Sequence, residues 1–131
     1  MKKTFITALV AYAALGILLS TVVIGSGPPQ EKVIKLTAKK FAFSPDEITI
    51  TKGEPIVLVI SSEDVKHGFN LPDFGIRADI KPGATARISF TPDKAGRFTF
   101  ACDVFCGSGH EDMSGTLTVT EPVAHTPPKT R

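Results

Sequence analysis

Between Ile34 and Val119, apolar residues recur at alternate positions in short runs, and glycine or proline interrupts them every few residues. Side chains on a strand alternate between its two faces, so such runs read as half-buried β-strands. Ile34, Leu36 and Ala38 alternate with Lys35 and Thr37, and Phe41 and Phe43 extend the same period. Ser44-Pro45-Asp46 and Lys52-Gly53-Glu54-Pro55 read as turns around a strand carrying Ile48 and Ile50. Ile56 to Ile60 is unbroken apolar, the pattern of a strand central in a sandwich. His67, Phe69 and Leu71 then share one strand face. The two apolar members point inward, so His67 is expected inward at the strand end. The polar turn Asp64-Val65-Lys66 is expected to leave its edge near the surface. Ile76 to Ile80 and Ala84 to Phe90 follow as strands. Next, Phe98, Phe100 and Cys102 form one inward face with Arg97 and Thr99 outward. Cys102 is thus placed where a core strand runs out into a loop. Leu117 and Val119 close the series, and nothing in it has a helical period. Seven or eight short strands punctuated by Gly and Pro predict an all-β fold, a Greek-key β-sandwich or barrel.

A chain of 131 residues has room for one such domain plus appendages. After Met1-Lys-Lys, an uncharged apolar run from Thr4 to Ile24 is long enough to cross a bilayer, for which about 20 residues suffice. Lys2 and Lys3 orient it with the N-terminus inside and the remainder on the outer face. A cleaved signal peptide competes with the anchor, with a cut after Gly25 as its best site. Residues 1–25 are therefore expected to be a transmembrane anchor or signal peptide, 26–31 a linker, 32–121 the domain and 122–131 a disordered tail. The expected location is the cell membrane, single-pass, with the domain on the periplasmic or extracellular face; the alternative is secretion to the periplasm. Lys and Arg number 15 against 13 acids, and setting Lys2 and Lys3 aside leaves a neutral globular part. That balance provides no basic field for nucleic acid, whose binding rests on neutralising phosphates.

Chemistry concentrates in Cys102-Asp-Val-Phe-Cys106-Gly-Ser-Gly-His110-Glu-Asp-Met113. Cys102 and Cys106 are the only cysteines, and a disulfide is their plain reading in an exported chain. An imidazole and a thioether at this spacing point instead to copper, which soft sulfur selects and imidazole suits. Cys106, His110 and Met113, with a second imidazole from elsewhere, match a single blue-copper ion with a weak axial Met. Cys102 is then one thiol too many for that ion, and two thiolates four residues apart can bridge two coppers. Gly107 and Gly109 are expected to allow positive-φ turns that make the loop compact. Glu111 and Asp112 read as solvated residues that tune the field or recognise a partner, and His125 in the tail has no assigned role. No spare nucleophile–base pair remains for hydrolysis.

Cys-x3-Cys-x3-His-x2-Met with an upstream His resembles the dinuclear copper (CuA) motif over roughly Val33 to Thr120. That motif belongs to subunit II of haem–copper cytochrome oxidases and to the cupredoxin domain of nitrous oxide reductase. The resemblance implies a cupredoxin fold. It also implies His67, Cys102, Cys106, His110 and Met113 as side-chain ligands, with the Val104 carbonyl as the sixth, around two copper ions. The function it implies is electron transfer rather than catalysis by the chain itself. The chain would be a module of a respiratory oxidase or reductase or a free-standing carrier, partnered by a redox protein such as a c-type cytochrome. A mononuclear blue-copper carrier and a periplasmic copper-delivery protein are the alternatives.

Overall fold

The alternating pattern resolves into nine strands in two sheets. A computed structural model describes residues 27–28 and 30–124. The expected anchor or signal segment at 1–25 lies outside these residues, as does the end of the tail with His125. Among the described residues no helix is long and apolar enough to cross a membrane.

The strands are β1 (Lys32–Lys39), β2 (Ala42–Ser44), β3 (Glu47–Thr51), β4 (Ile56–Ser62), β5 (His67–Leu71), β6 (Ile76–Ile80), β7 (Thr85–Phe90), β8 (Gly96–Ala101) and β9 (Ser114–Thr120). One sheet has the order β2-β1-β4-β7 and the other β3-β9-β8-β5-β6. β1 runs parallel to β4 and β3 parallel to β9, while the other pairs are antiparallel. This is an all-β, cupredoxin-like sandwich. Leu36 and Ala38 of β1, and Ile56, Leu58 and Ile60 of β4, face Ile48, Ile50, Leu117 and Val119 across the core, all buried.

Several local expectations differ from what forms. Strands number nine among the described residues because β2 is a separate three-residue element. Phe41 does not continue the period of β1; with Lys40 it makes the β1–β2 turn and stays 37% exposed. Ala84 precedes β7 rather than opening it. Two single-turn 3-10 segments, Pro72–Phe74 and His110–Asp112, occur where no helical period is visible, because a single turn is too short to show one.

One aromatic trio connects the core to the chemistry. Phe43, Phe69 and Phe100 have ring centroids 5.2 to 5.9 Å apart, two of the three contacts being edge-on. Phe69 lies two residues after His67, and Phe100 two before Cys102. The packed rings therefore anchor β5 and β8 at the positions from which those two side chains emerge.

Candidate metal centre

β8 ends at Ala101, and the chain leaves the sheet as a loop that returns at Ser114, its register partner on β9. Cys102 N–H donates to the Met113 carbonyl at 2.9 Å and closes the base of that loop. Inside it, His110 N–H donates to Gly107 O at 3.1 Å and Met113 N–H to His110 O at 3.1 Å. Gly107 has φ +137°, as a sharp turn requires. Gly109 does not: its φ is −113°. Its value is steric, since a Cβ there would lie 2.4 Å from the Phe41 ring, which rests against the Gly107–Gly109 backbone.

The loop and the start of β5 bring the predicted donors together. His67, Cys102 and Cys106 offer donor atoms that all lie within 4.8 Å of one another, and all three residues are buried. Cys106 Sγ is 3.7 Å from His110 Nδ1 and 3.9 Å from Met113 Sδ. Cys102 Sγ–H donates to the Val104 carbonyl at 3.1 Å, and Gly68 N–H points at the same sulfur from 3.4 Å. The two cysteines are free thiols, not the disulfide of the plain reading. All six candidate groups of the sequence are thus gathered at one end of the sandwich.

His67 departs from expectation in one respect: it is fully buried, without an edge at the surface. Asp64 is the reason. Its Oδ1 lies 2.7 Å from His67 Nε2, so the turn folds back over the ring. With Nε2–H donating to the carboxylate, Nδ1 carries the free lone pair, and that buried atom has no hydrogen-bond partner. A buried polar atom without a partner is costly in a folded core. A metal ion would satisfy it, and sulfur, imidazole and thioether around it suit copper. The residues present fit the group.

Burial and hydrogen bonding shift two groups around the site, Asp64 and Cys106. Burial pulls the Asp64 carboxyl upward, but hydrogen bonds from Lys40 N–H, His67 and Val65 N–H outweigh it and hold it well below the usual carboxylate range. Lys40 N–H is 2.8 Å from Asp64 Oδ2, so the β1–β2 turn is tied to the partner of His67 while Phe41 covers the loop. Burial and the adjacent Cys102 push the Cys106 thiol up to about 11, so a metal bound there would have to displace its proton.

Sequence reasoning missed Asp64 as the partner of His67, Phe41 as the cover of the loop, and Arg77, whose guanidinium reaches Asp103. Asp64 carried a signal in the His spacing of three residues, but the Phe41 contact joins the two sheets and the Arg77 contact spans a neighbouring strand.

A β-sandwich with sulfur and imidazole donors gathered at the loop end defines a cupredoxin-like protein. The chain belongs to the cupredoxin-like domain family, which matches residues 7–119. It is 35% identical over 99 residues to cytochrome c oxidase subunit 2 of Thermus thermophilus, covering 76% of this chain and 73% of that one. It is 32% identical over 90 residues to nitrous-oxide reductase of Cupriavidus necator, covering 66% of this chain but 14% of the reductase. The periplasmic domain of cytochrome oxidase subunit II of Bradyrhizobium japonicum superimposes with a TM-score of 0.65 at 25% identity, over 72% of this chain and 87% of that one. These are the two families whose copper motif the sequence resembles.

Proposed function

We propose that this chain holds a dinuclear copper centre of the CuA type and passes single electrons between partner proteins. The observation that carries this reading is the second thiol. Cys102 and Cys106 are both buried, unbridged and directed at the same space as His67. One thiolate satisfies a single blue-copper ion, whereas two in one pocket suit a shared pair. His67, Cys102, Cys106, His110, Met113 and the Val104 carbonyl would hold the ions. When bound, copper supplies the one-electron exchange, and the protein sets ligands and burial.

Each residue has a defined task in that function. Asp64 fixes the His67 tautomer, and the buried walls exclude water. Cys102 and Cys106 would release their protons on copper loading. The hydrogen bond from Cys102 N–H to Met113 holds the loop ends together, which limits rearrangement between oxidation states. Phe105, between the cysteines, is 79% exposed with its ring 5.9 Å from that of His110, and Glu111 and Asp112 after that histidine are exposed acids. This is a suitable docking face for a small, transient redox interface. The names of the relatives support an oxidase or reductase subunit as the redox partner, and a c-type cytochrome is the other candidate. The reading also includes residues 32–121 as the copper domain, 26–31 as a linker, 122–131 as a tail, and 1–25 as a membrane anchor or signal segment that places the domain outside the cell.

Copper-loaded protein adsorbed on an electrode tests electron transfer against copper delivery. A reversible one-electron wave with metal retained over repeated cycles is expected. Loss of copper on reduction, or no wave, would contradict a carrier role.

A further inference from the structure

The loop segment after β8 has little sheet pairing to hold it. β5 and β8 share one register pair, Asn70 with Ala101, and beyond it the ladder stops where the site begins. Across this gap lies a set of charges on the outer face of the sheet. Arg77 of β6 donates from Nε to Asp103 Oδ2 at 2.8 Å and from Nη2 to Asp103 Oδ1 at 3.2 Å, a two-pronged contact. The same guanidinium pairs with Asp79, and Lys66 Nζ reaches the other Asp79 oxygen at 2.8 Å. Because β5 lies between β6 and the strand that leads into Asp103, this contact crosses over β5. It crosses at Gly68: a Cβ there would lie 1.8 Å from Asp103 Oδ1 and 3.0 Å from the Val104 side chain. Gly68 N–H is also the group that points at Cys102 Sγ.

We propose that Arg77 and Asp103 are positioning residues that fasten the Cys102–Val104 segment to β5 and β6, with Gly68 as the notch that admits the tie. An exposed ion pair contributes little to global stability, and Arg77 and Asp103 are 47% and 29% exposed. A fork on a carboxylate adds direction, however, and the network shares its ordering cost among four side chains. What the tie holds is local: Cys102 Sγ and the Val104 carbonyl, on either side of Asp103. Its role at the metal rests on the copper reading given above. Its existence does not, and it is tested without copper.

Alkylation of the copper-free full-length chain by iodoacetamide, resolved by residue with mass spectrometry, reports how often each buried thiol opens. Arg77→Gln and Asp103→Asn should each raise the Cys102 rate roughly threefold to fivefold, the scale of one exposed ion pair. Cys106 in the same molecules serves as the internal standard and should not change. Gly68→Ala should reproduce the Cys102 effect by expelling the carboxylate, whereas Lys52→Gln, which breaks the remote pair with Glu121, should leave both rates alone. Wild type in about 1 M salt, where the Debye length falls to about 3 Å, should move in the same direction as the variants. This arm stands even if a variant fails to fold. Equal acceleration of both cysteines, or of neither, overturns the proposal. After copper loading, Arg77→Gln should keep its metal count but shift the thiolate-to-copper absorption. A wild-type chain that takes up no copper removes the functional reading and leaves the alkylation result to decide the tie.

Discussion

At the scale of single residues, the site is governed by which atom of His67 is left free. Asp64 takes Nε2 at 2.7 Å, and burial leaves Nδ1 without a partner. Asp64 needs its charge for this, and three hydrogen bonds keep it ionised against the pull of burial. Residues that orient a histidine ligand in this way commonly contribute 10- to 100-fold to metal affinity. Asp64→Ala should therefore weaken copper binding by about that factor, measured by competition with a chelator of known affinity. The variant should also release the Lys40 turn, because the same carboxylate accepts from Lys40 N–H at 2.8 Å. Unchanged affinity would mean that the ring is held by packing alone.

At the scale of elements, β5 and β8 are the two supports, and Phe69 and Phe100 pack them against Phe43 of β2 in the facing sheet. Gly115 of β9 sits opposite Phe100 in the register, and a Cβ there would lie 2.2 Å from the ring and 2.5 Å from the Asp46 carbonyl. Gly115→Ala should overpack this contact and cost about 1–3 kcal/mol, read from the shift in urea midpoint. Copper uptake by the folded fraction should persist. The same elements explain how much was legible beforehand. Period two placed His67 with Phe69 and Cys102 with Phe100, because alternation on a strand is local geometry. The loop spacing from Cys102 to Met113 was legible for the same reason, since all its donors lie on one short segment. Phe41 was misplaced because a turn interrupted its period, and contact of a ring with glycines 66 and 68 residues later leaves no local trace. The contact between Arg77 and Asp103 was invisible for a related reason: it needs the neighbour order β8-β5-β6, which alternation does not encode. The full burial of His67 followed from a side chain folding back over it, which a strand pattern also omits.

At the scale of the whole molecule, a sandwich of near-zero net charge presents its chemistry at one end, where β5 starts and β8 runs out. The sheets supply a rigid frame, the loop supplies four of the five candidate side-chain donors, and β5 supplies the fifth. Within that arrangement Cys102 alone separates a copper pair from a single copper. Removing it should leave His67, Cys106, His110 and Met113, a set sufficient for one blue-copper ion. The most direct measurement is copper analysis with electron paramagnetic resonance on wild type and Cys102→Ser, loaded side by side. Wild type should hold two coppers per chain, with a seven-line hyperfine pattern from one electron shared by two equivalent nuclei. The variant should hold one copper with a four-line pattern, and its colour should change from purple to blue or green. One copper in wild type, with a spectrum that Cys102→Ser leaves intact, would contradict the dinuclear centre.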